Sequence, residues 1–163
     1  MFSILNKLIL ILIISTLSGC VSIKRLPDSA NEVNFNDAIE GKTDWAQWQG
    51  VMNVKGIDRR TAYQAAKAGL ADAKFTIQKA SIDLGAVIGE HGMTAYDWNI
   101  IAGVYFRKTN DGYQFKAIVE GSKDVGFWGD TTKSSWVENI FKGIREYILT
   151  ESLILESDRN IFN

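Results

Sequence analysis

Trp98-Asn99-Ile100-Ile101-Ala102-Gly103-Val104-Tyr105-Phe106-Arg107-Lys108, then Thr109-Asn110-Asp111-Gly112, then Tyr113-Gln114-Phe115-Lys116-Ala117-Ile118-Val119-Glu120 reads as two strands about one turn. Ile100, Ala102, Val104 and Phe106 fall on one face of the first strand at period two. In the second strand, Tyr113, Phe115, Ala117 and Val119 alternate with Gln114, Lys116, Ile118 and Glu120, the pattern of a half-buried antiparallel strand. Asn110-Asp111-Gly112 between them is a hairpin signal. Upstream, Phe75 to Ala80 and Gly85 to Glu90 predict two shorter strands joined through Ser81-Ile82-Asp83-Leu84. Earlier still, Trp48, Gly50, Met52 and Val54 share one face of a strand running from Trp45.

Two helices bracket this run of strands. Gly56 ends the first strand, and Asp58 is placed to cap a helix, with Ile57 as its staple residue. That helix, Arg59 to Lys74, sets Ala62, Ala66, Leu70 and Ala73 on one face. Gly69 inside it either weakens the helix or permits close packing on a sheet. The second helix opens near Asp130 or Thr131 and carries a stripe of Trp136, Val137, Ile140, Phe141, Ile144, Tyr147 and Ile148. Serines 134 and 135 suit its first turn. The order β-α-β-β-β-β-α predicts an α+β domain, an antiparallel sheet of four or five strands covered on one face by two helices. The domain is expected over residues 44–149. Residues 20–43 read as a tether in which Val33, Phe35 and Ile39 could dock. Residues 150–163, with Leu153-Ile154-Leu155, read as a tail that extends the helix or docks loosely.

The first nineteen residues are of another kind. Lys7 precedes an apolar run from Leu8 to Ile14, and small residues then lead to Leu17-Ser18-Gly19-Cys20, which holds the chain's one cysteine. This is the layout of a secretory signal, and the cysteine directly after the small residue makes it resemble the lipobox of bacterial lipoproteins. The resemblance implies cleavage before Cys20, a diacylglycerol on its thiol and acylation of its freed amine. Leu8 to Leu17 is only ten residues, against about 20 for a membrane-spanning helix. One acyl chain holds a protein marginally, whereas two or three hold it essentially permanently. In the sorting rule of Gram-negative lipoproteins, aspartate after the cysteine favours the inner membrane. Val21 and Ser22 stand here, so the resemblance implies an outer-membrane anchor with the domain facing the periplasm. The element order over residues 44–149 also resembles the helix-grip-like domains of small envelope lipoproteins, such as those of the outer-membrane assembly lipoprotein BamC. No site residue carries over from that likeness.

Composition narrows the functions. With 18 basic and 19 acidic residues the net charge is −1, and losing Lys7 with the leader makes it −2. No dense Lys/Arg cluster provides the footprint of a nucleic-acid binder. One cysteine excludes an intrachain disulfide, and once lipidated it is no nucleophile.

The one histidine stands in Gly89-Glu90-His91-Gly92. As a general base, His91 would be oriented by Asp97 or Glu90, but no Gly-x-Ser-x-Gly elbow or other nucleophile is marked. The plainer role is a polar residue closing a strand. One histidine cannot supply a zinc site, no EF-hand spacing occurs, and Gly85, Gly89 and Gly92 fit no phosphate-binding fingerprint. No catalytic residue, metal or cofactor is therefore expected. Of the five tryptophans, Trp136 suits the core, whereas Gly126-Phe127-Trp128-Gly129 puts an aromatic pair in a glycine-flanked loop. The expectation is a non-enzymatic, membrane-anchored binding or scaffolding domain. Its partner would be another envelope component, met through Glu90, His91, Asp97, Phe127 and Trp128. The alternatives are a small-ligand or lipid carrier with a pocket between helix and sheet, and a hydrolase using His91.

Overall fold

The hairpin of residues 100–121 forms the middle of an antiparallel sheet in the structure, a computed structural model; Trp98 and Asn99, read as the start of its first strand, lie outside the described residues. It describes residues 22–36, 41–44, 47–92, 100–121 and 134–161, with the backbone alone for 41–44, 134 and 154–161. Six strands are ordered β1-β2-β6-β5-β4-β3: β1 (Gly41–Asp44), β2 (Gln47–Lys55), β3 (Thr76–Ser81), β4 (Ala86–His91), β5 (Ile100–Lys108) and β6 (Gly112–Gly121). Helix α1 (Arg59–Asp72) follows β2, and α2 (Ser134–Ile161) follows β6. This is the expected α+β architecture with both helices on one face. The short edge strand β1 is additional, and all but Asp44 of it lies in the segment expected to be a tether.

Local chemistry explains each element. The Asp58 carboxylate accepts from the Thr61 amide at 2.7 Å, and that bond holds its pKa below the ordinary range. At the other end of α1, Lys74 adopts φ 67°. The Phe75 amide bonds Leu70 O and the Lys74 amide bonds Ala71 O, a Schellman closure that leads straight into β3. Gly85 turns β3 into β4 at φ 62°, where a side chain would be strained. In the β5–β6 hairpin Lys108 faces Tyr113. Neither Asn110 nor Asp111 takes positive φ, so the turn is not the mirror-image type that Asn-Gly and Asp-Gly pairs usually signal. Gly112 is needed there for a different reason. A Cβ on it would run into Val54 O and lie 2.8 Å from the Lys55 Cα, so it lets β2 approach.

The helix-side core contains the residues that share the predicted face: Ala102, Val104, Phe106, Phe115, Ala117 and Val119, with Ala62, Ala66 and Leu70 of α1 and Val137, Ile140 and Ile144 of α2. Gly69 does permit close packing, but against α2 rather than the sheet. A Cβ there would lie 2.6 Å from Ile140 O and 2.6 Å from Ile144 Cγ1. Gly143 answers it, with a built Cβ 3.0 Å from the Gly69 Cα, so the helices cross at a pair of glycines. Helix α2 has 28 residues, about 42 Å of helix, and runs past Tyr147 and Ile148, the last of the described side chains that pack on the core. It thereby includes most of the segment read as a tail.

The opposite face corrects one expectation and sharpens another. Residues 22–36, read as a tether in which Val33 and Phe35 could dock, are folded onto the sheet, and both of those residues pack there. They fold into two 3-10 turns, Ile23–Arg25 and Ala30–Glu32, and strap the far face of the sheet. Leu26 and Phe35, 3% and 2% exposed, pack with Ala86, Ile88, Ile101, Tyr105 and Ile118. Strand β6 is consequently buried on both faces, not half-buried: Lys116 is only 3% exposed, its Nζ donating to Asn34 O at 2.7 Å. Tyr105 lies along the sheet against Gly103 and donates its hydroxyl to Pro27 O at 2.8 Å. The Ala30 amide bonds Leu84 O, Lys79 pairs with Asp28 at 2.8 Å, and the Arg107 guanidinium covers the Phe35 ring. The physical reason is that β5 is apolar on both faces, so its second face also needs a cover.

Candidate functional site

The register gathers the candidate surface at one end of the sheet. His91 pairs with Ile100, and Ile100 with Gly121; β6 ends at Gly121, and α2 begins at Ser134. The chain between β4 and β5, which holds Asp97, and the chain between β6 and α2, which holds Phe127 and Trp128, therefore leave and rejoin the described structure at this end. Asp97, Phe127 and Trp128 within them lie outside the described residues, as do Leu17, Ser18, Gly19 and Cys20.

Glu90 and His91 are neighbours in β4 and so project to opposite faces. His91 faces the helices. Its ring centroid is 5.1 Å from that of Trp136 and 6.0 Å from that of Phe75, which themselves meet edge-on at 5.4 Å. Glu90 is on the strap side of the sheet, where Gln78 Nε2 donates to its Oε1 at 3.1 Å. Glu90 therefore cannot orient the His91 ring, and half of the proposed base arrangement is removed on geometric grounds. The His91 Nδ1 is buried and has no hydrogen-bond partner among the described residues, as is true of Trp48 Nε1. These two atoms do not make one site, because β5 and β6 separate their strands.

On the strap side the same end is polar. Gln47 and Ile101 flank Glu120 across the sheet. Gln47 Nε2 donates to Glu120 Oε1, and Arg25 of the strap approaches Glu120 Oε2 at 3.4 Å. The start of the strap is thus fixed beside the candidate surface, a relation invisible in a sequence that separates these residues by 95 positions. The signal that could have found it is the apolar pair Leu26 and Phe35, set against the second apolar face of β5.

A depression of about 450 Å³ lies at the other end of the sheet, lined by Asn31, Arg59, Asp83, Leu84, Arg107 and Tyr113 among others. Its arginines are engaged by the protein. Arg59 bonds the carbonyls of Ile82 and Asp83 at 3.2 and 3.1 Å, and Arg107 bonds Gln114 and Asn36. This is not the helix–sheet cavity a carrier would use. Val137 and Phe141 instead press on the Gly50 backbone, leaving no room even for a Cβ there. Among the described residues no group of three or more His, Cys, Asp or Glu is placed to hold a metal, and no helix is long and apolar enough to cross a membrane.

The fold and this end of it define a two-helix α+β domain whose sheet is strapped on its second face by its own N-terminal segment. No protein-family model matches the chain, and no curated protein sequence matches it. Among solved structures it is similar to protein CV1439 from Chromobacterium violaceum, at 13% identity and a TM-score of 0.36, over 61% of this chain and 94% of that one. So distant a likeness does not bear on function.

Proposed function

We propose that this chain is a non-enzymatic outer-membrane lipoprotein, anchored through Cys20, whose periplasmic domain binds or scaffolds another envelope component. The observation that carries the reading is Leu17-Ser18-Gly19-Cys20 shortly after the apolar run Leu8 to Ile14, followed within three residues by a segment that packs on the domain from Ile23 onward. A lipid on Cys20 would therefore be joined directly to folded structure. The binding surface of this reading is the end of the sheet at Glu90 and His91, with the loops carrying Asp97, Phe127 and Trp128. His91 acts there as a packing residue between Phe75 and Trp136 rather than as a base.

Two experiments test the reading. Cys20→Ser should abolish acyl labelling and release the protein from membranes; labelling that persists would overturn the anchor. Crosslinking pull-down from envelopes should lose its partner when Phe127 and Trp128 are both changed to Ala. An unchanged set of crosslinks would remove that surface.

A further inference from the structure

Taking the lipid anchor at Cys20 as the starting point, we propose that the strap holds the domain end-on against the bilayer, with the Arg25–Glu120 end of the sheet facing the lipid surface as its docking partner, so that a partner met at that end is itself at the membrane surface. The argument is one of chain length. A free tether from Cys20 to residue 44 could stretch about 80 Å, at roughly 3.3–3.6 Å per residue. The strap removes nearly all of it. Ser22 accepts from the Lys24 amide to cap the first 3-10 turn, Ile23 packs on the strapped face, and Arg25 is tied to Glu120. Only Val21 intervenes between Cys20 and Ser22, a reach of at most about 7 Å.

An acylated Cys20 sits at the headgroup boundary, so the last residues of β6, the end of β4 and the start of β3 must lie close to that boundary as well. Thr76 faces Glu90, and Glu90 faces Ile101 beside Glu120, so these residues form one row across the sheet. Lys24 and Arg25, both exposed, lie four and five residues after Cys20 and suit anionic headgroups. The Asn110 turn lies at the far end, about 34 Å away along the ten residues of β6.

The test uses the full-length, lipidated protein. Cys20 is the one cysteine, and lipidation consumes its thiol, so an introduced cysteine is a unique labelling site. A fluorophore at Thr76→Cys or at Asn110→Cys, both exposed positions, is read in vesicles of phosphatidylethanolamine and phosphatidylglycerol that carry a headgroup-linked quencher. The label at 76 should lose most of its emission, and the label at 110 should keep most of it. A flexible Gly-Ser insertion between Val21 and Ser22 should erase the difference. Equal quenching at the two positions overturns the proposal, and so does a difference that survives the insertion. Intact mass separates the two readings: equal quenching in a chain that carries its acyl groups defeats only the docking, whereas a chain without them defeats the anchor too.

Discussion

Replacing Gly69 with alanine sets two effects of opposite sign against each other. Helix propensity alone favours the change by about 1 kcal/mol, because glycine inside a helix costs that much relative to alanine. The new methyl, however, would sit 2.6 Å from Ile140 O and 2.6 Å from Ile144 Cγ1. The Ile144 side chain could rotate. The carbonyl cannot, since it belongs to the backbone of α2, so the helices must separate. Overpacking of this kind costs about 1–3 kcal/mol, and contact with a rigid atom puts it in the upper part of that range. The expected net effect of Gly69→Ala is a loss of about 1–2 kcal/mol, a fall in Tm of roughly 3–6 °C for a domain of this size. Urea and thermal melts followed by circular dichroism, on the chain from residue 20 carrying Cys20→Ser, measure it. Gly143→Ala should lose stability too, with a Cβ 2.9 Å from that of Asp72 and 3.0 Å from the Gly69 Cα. A higher Tm for Gly69→Ala would refute the glycine crossing.

Lys74 occupies the left-handed position of the α1 closure at φ 67°, so Lys74→Gly should stabilise by about 0.5–1 kcal/mol in the same melts; a loss would mean that the lysine side chain contributes more than its strain. Burial, with the charges of Glu32, Asp28 and Glu120 behind it, holds the Tyr105 hydroxyl far above the usual tyrosine range. The folded form thus keeps a proton that the unfolded chain gives up near pH 10, so this stability is complete below about pH 10 and falls above it, by at most about 1.4 kcal/mol per unit. Tyr105→Phe should flatten that alkaline slope between pH 9 and 11, and an unchanged slope would contradict the assignment. Phe35 is 2% exposed under Arg107, and a Phe→Ala change at such a site costs about 3–5 kcal/mol. Phe35→Ala should therefore loosen the strap first, seen as faster trypsin cleavage at Lys24 and Arg25 than in the remainder of the domain. Equal cleavage rates in variant and parent would argue against a strap held by this ring.

All strands but the short β1, both helices and the helix-facing core were legible because each depends on neighbours in sequence. Alternation in 100–108 and 113–120 marks one face of a strand whatever it packs on, and the Asp58 cap and the α2 stripe need only one helical turn to be recognised. Hairpins and caps are local, so short patterns suffice. The Leu17 to Cys20 pattern on which the proposed anchor rests is equally local, and the proposal takes it from the sequence alone.

What only the tertiary structure decided are relations between distant segments. The polar-looking stretch 22–36 has too few apolar residues to show a period, yet Leu26 and Phe35 are enough to cover the second face of β5, because that face was already apolar at Ile101 and Tyr105. Lys116 seemed to mark a solvent face until the strap supplied Asn34 O as its acceptor. Glu90 and Asp97 were equal candidates to orient His91, and strand geometry places Glu90 on the wrong face. Gly69 could have been a flaw or a contact, and the position of Ile140 O decides which. In each case the sequence determined what a residue could bury or bond, and the crossing of distant chain segments determined what it met.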